Sequence, residues 1–416
     1  MKKLLSLLGI VLILSTLLVT FASCGVEYYV PADNVEEQEE VIVIPNYPMT
    51  EKEKNSAYES AIRALAAEDW ITAYNYFLQI SDYRDVPSYL ARFSYKANTT
   101  TINDVTDDPE GVKVFQIETK FTNYGYFNQE TLFHIPSSTA SSKKYATTSK
   151  VLQVPEDPTD PNNKKTKEDE HKRPLSISTS EHPTLFGTVP GYTTEFVYDF
   201  KEDDPKYESS LVVTERISNL RSQQFEINYK YNENKVLQQT NITWTNEGTP
   251  YDYEFVYIYD AAGKLTKVTF VNNKVEGMVA CDYAIYTYNA AGQLTSVTYP
   301  GGPIDPVDTL SLSKTNKPAD WIIPTWNAEN AYTVTYEYNE LGQLSKEVLN
   351  YANSDDKDQT ITYDIYNEDG VLLQKTLTMK VKEAVTNEAG ESEEVLTTKV
   401  YRYSVVEFSL YYDPLA

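Results

Sequence analysis

One short phrase recurs along the second half of this chain and limits what the chain can fold into. Its clearest copy, in EFVYIYDAAGKLTKVTF from Glu254 to Phe270, alternates aromatic with other residues up to Tyr259 and then breaks at Asp260 to Gly263. Residues two apart in a strand share a face, so the alternation predicts a strand with one aromatic face. Asp at the start of a turn and Gly in the left-handed conformation favour a tight hairpin turn. The phrase therefore predicts two antiparallel strands joined by a short turn.

The phrase returns at a spacing that suits a pair of strands. The second tyrosines of five copies are 28, 29, 50 and 28 residues apart along the chain: Tyr231, Tyr259, Tyr288, Tyr338 and Tyr366. The first copy has Lys235 in place of the glycine, and the last has Asp364 in place of the first tyrosine. About 28 residues accommodate two strands and two turns. We therefore predict a mainly β fold, an antiparallel meander of repeated β-hairpins, in which the sheet is either open and curved or barrel-like.

The phrase Tyr-x-Tyr-Asp/Asn-x-x-Gly-x-Leu resembles the tyrosine-aspartate repeat, also called the YD or RHS-type repeat. The resemblance extends over roughly residues 225–380. Proteins with this repeat occur on bacterial surfaces and among secreted toxins, where long arrays wind into β-rich shells. This chain departs from that family in two ways, because its repeat unit is longer and its copies are few. We therefore expect a smaller sheet that encloses no large cargo.

The first 23 residues predict a signal segment with a lipidation site. Lys2 and Lys3 precede an apolar run from Leu4 to Phe21. A retained membrane anchor, an ordinary cleaved signal peptide and a lipoprotein signal are the three alternatives. We favour the third, because residues 21–24 resemble a bacterial lipobox that ends at Cys24. The resemblance implies that Cys24 becomes a lipid-bearing amino terminus, and we expect residues 24–49, rich in acids and proline, to form a disordered tether.

Residues 50–97 have the pattern of a small helical hairpin. Thr50 and Glu53 fit a capping box, and a piece with Trp70, Ala73 and Phe77 at helical spacing resembles a tetratricopeptide-type hairpin. We also expect a third helix that carries the apolar residues Leu90, Phe93 and Tyr95. A single hairpin must cover its apolar face. It either docks on the sheet as a cap or offers a groove to a protein partner.

We expect a β-rich repeat domain over residues 110–416 with two interruptions. Residues 155–174 contain prolines and charges without apolar content, which predicts a mobile loop. Residues 300–331 form an insertion between two repeats and contain Trp321 and Trp326. Exposed aromatic rings on a loop suit ligand binding, although both indoles could instead anchor the loop to the sheet. We expect Trp321, Trp326 and Trp244 to contribute to a binding site.

The composition excludes some partners and offers little for catalysis. The chain has 36 basic and 61 acidic residues, a net charge of −25, which repels nucleic acid. Its three histidines and two cysteines do not have the spacing of a metal site. We expect no metal, no cofactor and no enzymatic activity. A glycoside hydrolase stays a minor alternative, because paired carboxylates are revealed only by their separation in space.

These observations lead to one functional hypothesis and one alternative. The chain would be a lipid-anchored, extracytoplasmic binding or scaffold protein of a bacterial cell envelope. Its ligand would be a cell-wall or host glycan, or another protein of the envelope, and would bind to the tyrosine-rich sheet or to the tryptophan loop. The alternative is an envelope assembly factor that recruits a protein partner through the helical hairpin.

Overall fold

The computed structural model describes eleven segments of the chain. They are residues 49–135, 141–156, 165–185, 187–189, 191–199, 211–219, 224–246, 249–272, 281–300, 331–386 and 392–415. The predicted signal segment, Cys24, nearly all of the predicted tether, Trp321 and Trp326 lie outside these segments. The chain divides into two compact units. Among the described residues, the larger unit comprises 97–122 and 126–408 and the smaller comprises 49–96, 123–125 and 409–415.

The described residues form three α-helices, a set of β-strands and one 3-10 turn at Asp355–Lys357. The helices are α1 (Glu51–Ala66), α2 (Trp70–Gln79) and α3 (Val86–Leu90). The strands are β1 (Phe93–Asp104), β2 (Val112–Phe121), β3 (Phe127–His134), β4 (Lys143–Val151), β5 (Gln153–Pro155), β6 (Thr166–Glu168), β7 (Pro174–Thr179), β8 (His182–Thr184), β9 (Gly187–Val189), β10 (Tyr192–Tyr198), β11 (Val212–Asn219), β12 (Gln224–Tyr231), β13 (Leu237–Asn246), β14 (Thr249–Tyr259), β15 (Leu265–Asn272), β16 (Cys281–Tyr288), β17 (Leu294–Tyr299), β18 (Tyr332–Tyr338), β19 (Leu344–Tyr351), β20 (Gln359–Tyr366), β21 (Leu372–Thr386) and β22 (Ser392–Tyr412).

Eighteen of these strands form one closed antiparallel sheet, which belongs to the larger unit except for the start of β1 and the end of β22. Each strand pairs with its neighbour in the order β1, β2, β3, β4, β7 and then β10 to β22, and β22 pairs back with β1. At the closing seam the Val105 amide donates to the Val400 carbonyl at 2.8 Å. The Val400 amide donates to the Thr106 hydroxyl at 3.0 Å. The predicted meander of hairpins is confirmed, and of the two predicted alternatives the barrel-like one is correct.

The predicted hairpin turns are confirmed in detail. The Asp260 carboxylate accepts hydrogen bonds from the amides of Ala262 and Lys264, both at 2.9 Å. The Gly263 amide donates to the Asp260 carbonyl, and Gly263 has a φ of 77°. An L-residue seldom adopts that conformation, which explains the glycine of the phrase. Lys235 of the weaker copy adopts it too, at a φ of 59°.

A further copy of the turn lies between β2 and β3 and was missed by the sequence analysis. Thr122 takes the place of the aspartate, Gly125 has a φ of 76°, and the Thr122 amide donates to the Tyr126 carbonyl at 2.8 Å. Phe121 pairs with Phe127 across the turn after an irregularity in register, as Tyr259 pairs with Leu265 in the clearest copy. Sequence comparison misses this copy because Phe and Thr replace the tyrosine and the aspartate.

The second tyrosine of each repeat joins its hairpin to the preceding one. Its hydroxyl donates to a backbone carbonyl at the start of an earlier strand, and the distances lie between 2.6 and 2.9 Å. The donor and acceptor pairs are Tyr231 and Val212, Tyr259 and Leu237, Tyr288 and Leu265, Tyr338 and Leu294, and Tyr366 and Leu344. Neighbouring hairpins are therefore linked beside their turns as well as along their strands.

The two faces of the closed sheet differ in composition. One face carries the buried apolar residues, including Ile227, Phe270 and Val297, and is the inner face because a closed sheet shelters its interior. The other carries cross-strand ion pairs such as Lys267 with Asp282, at 3.0 Å between Nζ and Oδ1. An apolar face opposite a charged face is typical of an antiparallel sheet with one side in water.

The smaller unit contains the helices, which use residues from strand ends to cover their apolar face. The predicted capping box is present, with Thr50 and Glu53 bonded reciprocally. Ala73 and Phe77 of α2 are buried in a cluster with the strand residues Phe93 and Tyr412. None of the three helices in the described part of the chain has the length and hydrophobicity needed to cross a membrane.

The predicted third helix is shorter than expected. It ends at Leu90, and Phe93 and Tyr95 belong to β1. The Asp413 amide donates to the Arg92 carbonyl at 3.1 Å, so pairing with the last strand begins here. Phe93 is buried by this arrangement, with its ring 4.9 Å from that of Tyr412. Strand pairing and burial of this ring therefore prevail over the helical spacing of the apolar residues.

The predicted mobile loop at residues 155–174 is partly wrong. Residues 157–164 lie outside the described segments, but β5 and β6 pair on either side of them. Asp169 and Arg173 are buried, 2% and 0% exposed. Two guanidinium nitrogens of Arg173 donate to the Asp169 carboxylate at 2.7 and 2.9 Å. Composition alone predicts a solvated loop, whereas mutual pairing allows these two charges to be buried.

We expect Tyr288→Phe to lower the free energy of unfolding by about 1 kcal/mol, because it removes the donor to the Leu265 carbonyl and keeps the ring. Tyr286→Phe, in the same strand, is the matched control, since the Tyr286 hydroxyl has no hydrogen-bond partner among the described residues. Urea unfolding followed by circular dichroism compares the two variants with the wild type. Equal losses of stability in both variants would contradict a linking role for the second tyrosine.

Candidate functional site

The residues predicted to bind ligand are not brought together in the described part of the chain. Trp244 lies in β13, where its backbone is paired with Phe225 and Tyr251. Trp321 and Trp326 are outside the described segments, as is Cys24. The predicted tryptophan site therefore stays a prediction. The described residues point to the other predicted surface, the tyrosine-rich sheet, at the inner face of the closed sheet.

The first tyrosines of the repeats form a row on this inner face, called here the tyrosine row. Its members lie on alternate strands, β12, β14, β16 and β18: Tyr229, Tyr257, Tyr286 and Tyr336. The residues that pair with the first three across each hairpin are small or β-branched: Thr240, Val268 and Val297. Large rings therefore alternate with small side chains around the inner wall.

The hydroxyls of the tyrosine row differ in their partners. Tyr257 accepts a hydrogen bond from the Thr240 hydroxyl at 3.2 Å. Tyr286 and Tyr336 are half-buried, and their hydroxyls have no hydrogen-bond partner among the described residues. Burial raises the pKa of all these tyrosines above the ordinary value of 10. They are therefore neutral hydroxyls at physiological pH and can donate to a ligand.

A second set of aromatic rings forms a series of contacts beside the tyrosine row. Phe255 and Tyr283 meet edge to face with centroids 5.0 Å apart, and Tyr283 meets Tyr299 at 6.0 Å. Tyr299 stacks on Tyr332 at 4.6 Å, and Tyr332 lies 5.2 Å from Tyr351. Offset and edge contacts of this kind hold the rings in fixed orientations. Tyr283 and Tyr299 keep part of their surface exposed, whereas Phe255, Tyr332 and Tyr351 are buried within the wall.

Four charged side chains lie on the inner face at equivalent places in their hairpins, called here the charged row. Each is opposite the residue at the first-tyrosine place: Glu130 opposite Thr119, Glu215 opposite Phe196, Glu347 opposite Tyr336, and Lys375 opposite Tyr363. None of the four is predicted from the sequence. Glu347 could have been found as a charge at the place that holds Thr240, Val268 and Val297 in the other repeats.

The missing first tyrosine of the last repeat is supplied by its neighbour. The register of β20 shifts between Tyr363 and Ile365, so Tyr363 pairs with Lys375. Asp364, which occupies the tyrosine position in the sequence, is exposed and accepts from the hydroxyls of Thr362 and Thr376. The inner face therefore keeps an aromatic ring at this place in all five repeats.

Burial controls the protonation of the charged row. It raises the pKa of Glu130 and of Glu215 to about 7. A hydrogen bond with the Thr119 hydroxyl lowers the pKa of Glu130, and one with the Tyr229 hydroxyl lowers that of Glu215, but burial has the larger effect. Burial also raises the pKa of Glu347 and lowers that of Lys375, while each of these two groups opposes the effect on the other. Burial therefore favours the neutral forms of Glu130 and Glu215, whereas Glu347 and Lys375 each favour the charged form of the other.

The other candidate chemistry is sparse. His134 lies in β3, and its ring stacks on Phe115 with centroids 4.9 Å apart. Cys281 is half-buried, and burial raises the pKa of its thiol. Within the described segments there is no group of three or more His, Cys, Asp or Glu side chains placed to hold a metal ion.

We expect Glu215→Gln to change how stability depends on pH. The folded pKa of about 7 lies above the ordinary 4.5, so the stability that neutral Glu215 contributes is present below 4.5 and lost as pH rises through 7. Between pH 5 and pH 8 the variant should therefore lose about 2 kcal/mol less than the wild type. Glu226→Gln is the control, because Asn228 and Arg216 lower the pKa of that exposed carboxylate. Parallel stability profiles for Glu215→Gln and wild type would contradict burial of the charge.

Comparison with known proteins bears on the repeat. A family model described as the RHS repeat matches residues 259–304. The match spans the turns at Asp260 and Asn289 and confirms the predicted resemblance over this segment. No curated protein is significantly similar to the chain.

Three solved structures are similar over much of this chain at low identity. A porin-like protein from Bacteroides uniformis has 8% identity and a TM-score of 0.33, with 74% of this chain and 97% of that chain covered. A TcdB2-TccC3-TEV structure has 10% identity and a TM-score of 0.18, covering 72% of this chain and 21% of its own. A protein of the DUF3598 family from Nostoc punctiforme has 10% identity and a TM-score of 0.14, with 76% and 97% covered.

Proposed function

We propose that this chain is a non-catalytic binding protein of a bacterial cell envelope, anchored by lipid outside the cytoplasm, and that its inner face binds a glycan. The observation that carries the proposal is the tyrosine row. Tyr286 and Tyr336 are half-buried on the sheltered face of a closed sheet, and their hydroxyls have no hydrogen-bond partner in the described part of the chain. Such rings form a surface suited to a ligand. A core that needed only packing would be satisfied by phenylalanine.

A sugar matches both properties of this wall. One face of a pyranose ring is made of C–H groups and packs flat on an aromatic ring, while its hydroxyls need hydrogen-bond partners around the rim. The inner wall offers half-buried rings such as Tyr286 and Tyr299 and, farther along the row, the phenol of Tyr336 opposite the carboxyl group of Glu347. Binding sites commonly combine apolar surface with a few placed polar groups in this way.

The charge of the chain supports an uncharged ligand. A net charge of −25 disfavours approach of nucleic acid or another strongly anionic polymer. A neutral glycan is not subject to this repulsion. The proposal therefore concerns neutral cell-wall or host glycans first.

The alternative of an assembly factor receives less support. Such a factor needs an open apolar groove on the helical hairpin for its partner. In the smaller unit, Ala73 and Phe77 are instead buried in a cluster that includes Phe93, Leu410 and Tyr412. That face of α2 is therefore already occupied by residues of the same chain.

The membrane attachment rests on the sequence of the first 24 residues. A basic start, an apolar run and a small-residue segment ending at Cys24 support lipidation of that cysteine. The net charge of −25 repels anionic lipids, so the lipid itself would hold the protein at the membrane.

We expect the purified chain to bind at least one member of a panel of neutral hexasaccharides in calorimetric titrations. Tyr286→Phe should weaken binding about 3- to 10-fold, since it removes a hydroxyl that can bond to the sugar. Tyr288→Phe should lower stability and leave the affinity nearly unchanged. A Trp321→Ala, Trp326→Ala double variant tests the predicted tryptophan site in parallel.

The outcomes separate the alternatives. Binding that survives Tyr286→Phe but is lost in the tryptophan variant would move the site to the insertion. Absence of binding to every glycan, together with capture of a protein that requires residues 50–97, would contradict the proposal and favour the assembly factor.

Lipid anchoring gives a separate prediction. In a bacterial host the wild-type chain should partition into the detergent phase of a Triton X-114 extraction, because acyl chains dominate its membrane affinity. Cys24→Ser should move it to the aqueous phase, and Cys281→Ser should leave it with the detergent. Detergent partition that persists in Cys24→Ser would point to a retained apolar segment instead.

A further inference from the structure

Two members of the charged row lie in consecutive repeats at the same structural place. Glu347 pairs with Tyr336 across the hairpin of β18 and β19, and Lys375 pairs with Tyr363 across that of β20 and β21. Three earlier repeats have Thr240, Val268 and Val297 at this place and fold into the same hairpin. The repeat therefore does not require a charge there, and the fold alone does not explain Glu347 and Lys375.

The carboxylate of Glu347 is held by one hydroxyl. Tyr363 donates to Oε1 of Glu347 at 2.6 Å, from the strand between Glu347 and Lys375. Glu347 has two cross-strand neighbours on the inner face. They are Tyr336 of the tyrosine row in β18 and Ile361 in β20. An ionised carboxylate accepts several hydrogen bonds, so this group has acceptor capacity left for a ligand hydroxyl.

The ammonium group of Lys375 lies over an aromatic ring. Its Nζ is 5.2 Å from the centroid of Tyr403, which pairs with Lys375 from β22. Among the described residues it has no hydrogen-bond acceptor, although an ammonium group has three donors. Burial of such a group without acceptors is unfavourable. Its placement is explained if water or a ligand supplies the missing oxygen atoms.

The pair completes one end of the tyrosine row. Tyr336, the last member of the row, pairs directly with Glu347, and two strands farther on is Lys375. A ligand that stacks along the row would therefore meet first an acceptor and then a donor. Because the two charges have opposite sign, the place has little net charge.

We propose that Glu347 and Lys375 form a polar subsite that binds neighbouring hydroxyls of one neutral sugar unit. The Glu347 carboxylate accepts from one hydroxyl, and the Lys375 ammonium donates to the oxygen of the next. This inference rests on the proposed function, glycan binding at the inner face, and adds the residues that select the ligand. A uronic acid would gain at Lys375 but face repulsion from Glu347, so neutral units are preferred.

The test uses the purified full-length chain and two substitutions that keep side-chain size. Glu347→Gln and Lys375→Met are titrated calorimetrically with the neutral hexasaccharide that the wild type binds best and with hexagalacturonate. We expect each to weaken binding of the neutral sugar about tenfold or more, since each removes a charged hydrogen-bond partner. Glu347→Gln should also reduce the ratio of the affinity for the neutral hexasaccharide to the affinity for hexagalacturonate.

The neighbouring outer face provides matched controls. Glu337 and Lys346 form an ion pair there, 3.4 Å between Oε1 and Nζ, on β18 and β19. Glu337→Gln and Lys346→Met make the same chemical changes and should leave the affinity within about twofold. Thermal melts identify any variant that does not fold. If one of the two inner-face variants does not fold, the other provides the test.

Failure of this inference is distinguishable from failure of the proposed function. If the wild type binds a neutral glycan and both inner-face variants bind it as well as the controls do, the subsite is wrong and glycan binding stands. If the wild type prefers hexagalacturonate, the stated ligand class is wrong. If the wild type binds no sugar, both proposals fall.

Discussion

The hydrogen bond from the second tyrosine of one repeat to a backbone carbonyl of the preceding hairpin is the interaction on which the rest of this structure depends. It recurs in all five repeats, from Tyr231 to Tyr366, with little variation in length. A hairpin alone is marginally stable in water. The tyrosine ring adds buried apolar area and its hydroxyl fixes the position of the ring, so each hairpin is joined to its neighbour at the rim. Successive hairpins then continue the sheet until β22 meets β1.

Only some positions of the repeated phrase are needed for the fold, and the others are free to vary. Asp260 and Gly263 and their equivalents form the turn, and the second tyrosine links hairpins. The first tyrosine and the residue opposite it only need to fit the inner face. Their side chains can therefore acquire a separate role, and Glu347 and Lys375 are charges at positions where the fold accepts valine. The repeat supplies the scaffold, and the ligand would be selected by the residues that the repeat does not specify.

Much of the fold follows from local rules, while the site depends on contacts that local rules do not contain. The hairpins were predictable because alternation and the Asp-x-x-Gly turn are encoded within a few residues, as at Asp260. Closure of the sheet does not follow from these local rules, because the pairing of β1 with β22 joins residues some 300 positions apart. The same limit explains why the sequence predicts a helix at Phe93 and a mobile loop at Asp169, because the burial of these residues depends on their partners Tyr412 and Arg173. The charged row can be recognised only when the strand register is known. The spacing of the repeats gives that register for Glu347 but not for Glu215.

Closure of the sheet is the central claim, because it turns the aromatic face into an interior. Hydrogen–deuterium exchange at the seam between β1 and β22 tests it most directly. The amides of residues 99–105 and 400–407 should be protected to the same degree as those of the central strands β13 and β14, since backbone pairing continues across the seam. Rapid exchange of both seam strands, at the rate of exposed sheet edges and with β13 and β14 still protected, would show an open sheet and contradict the account.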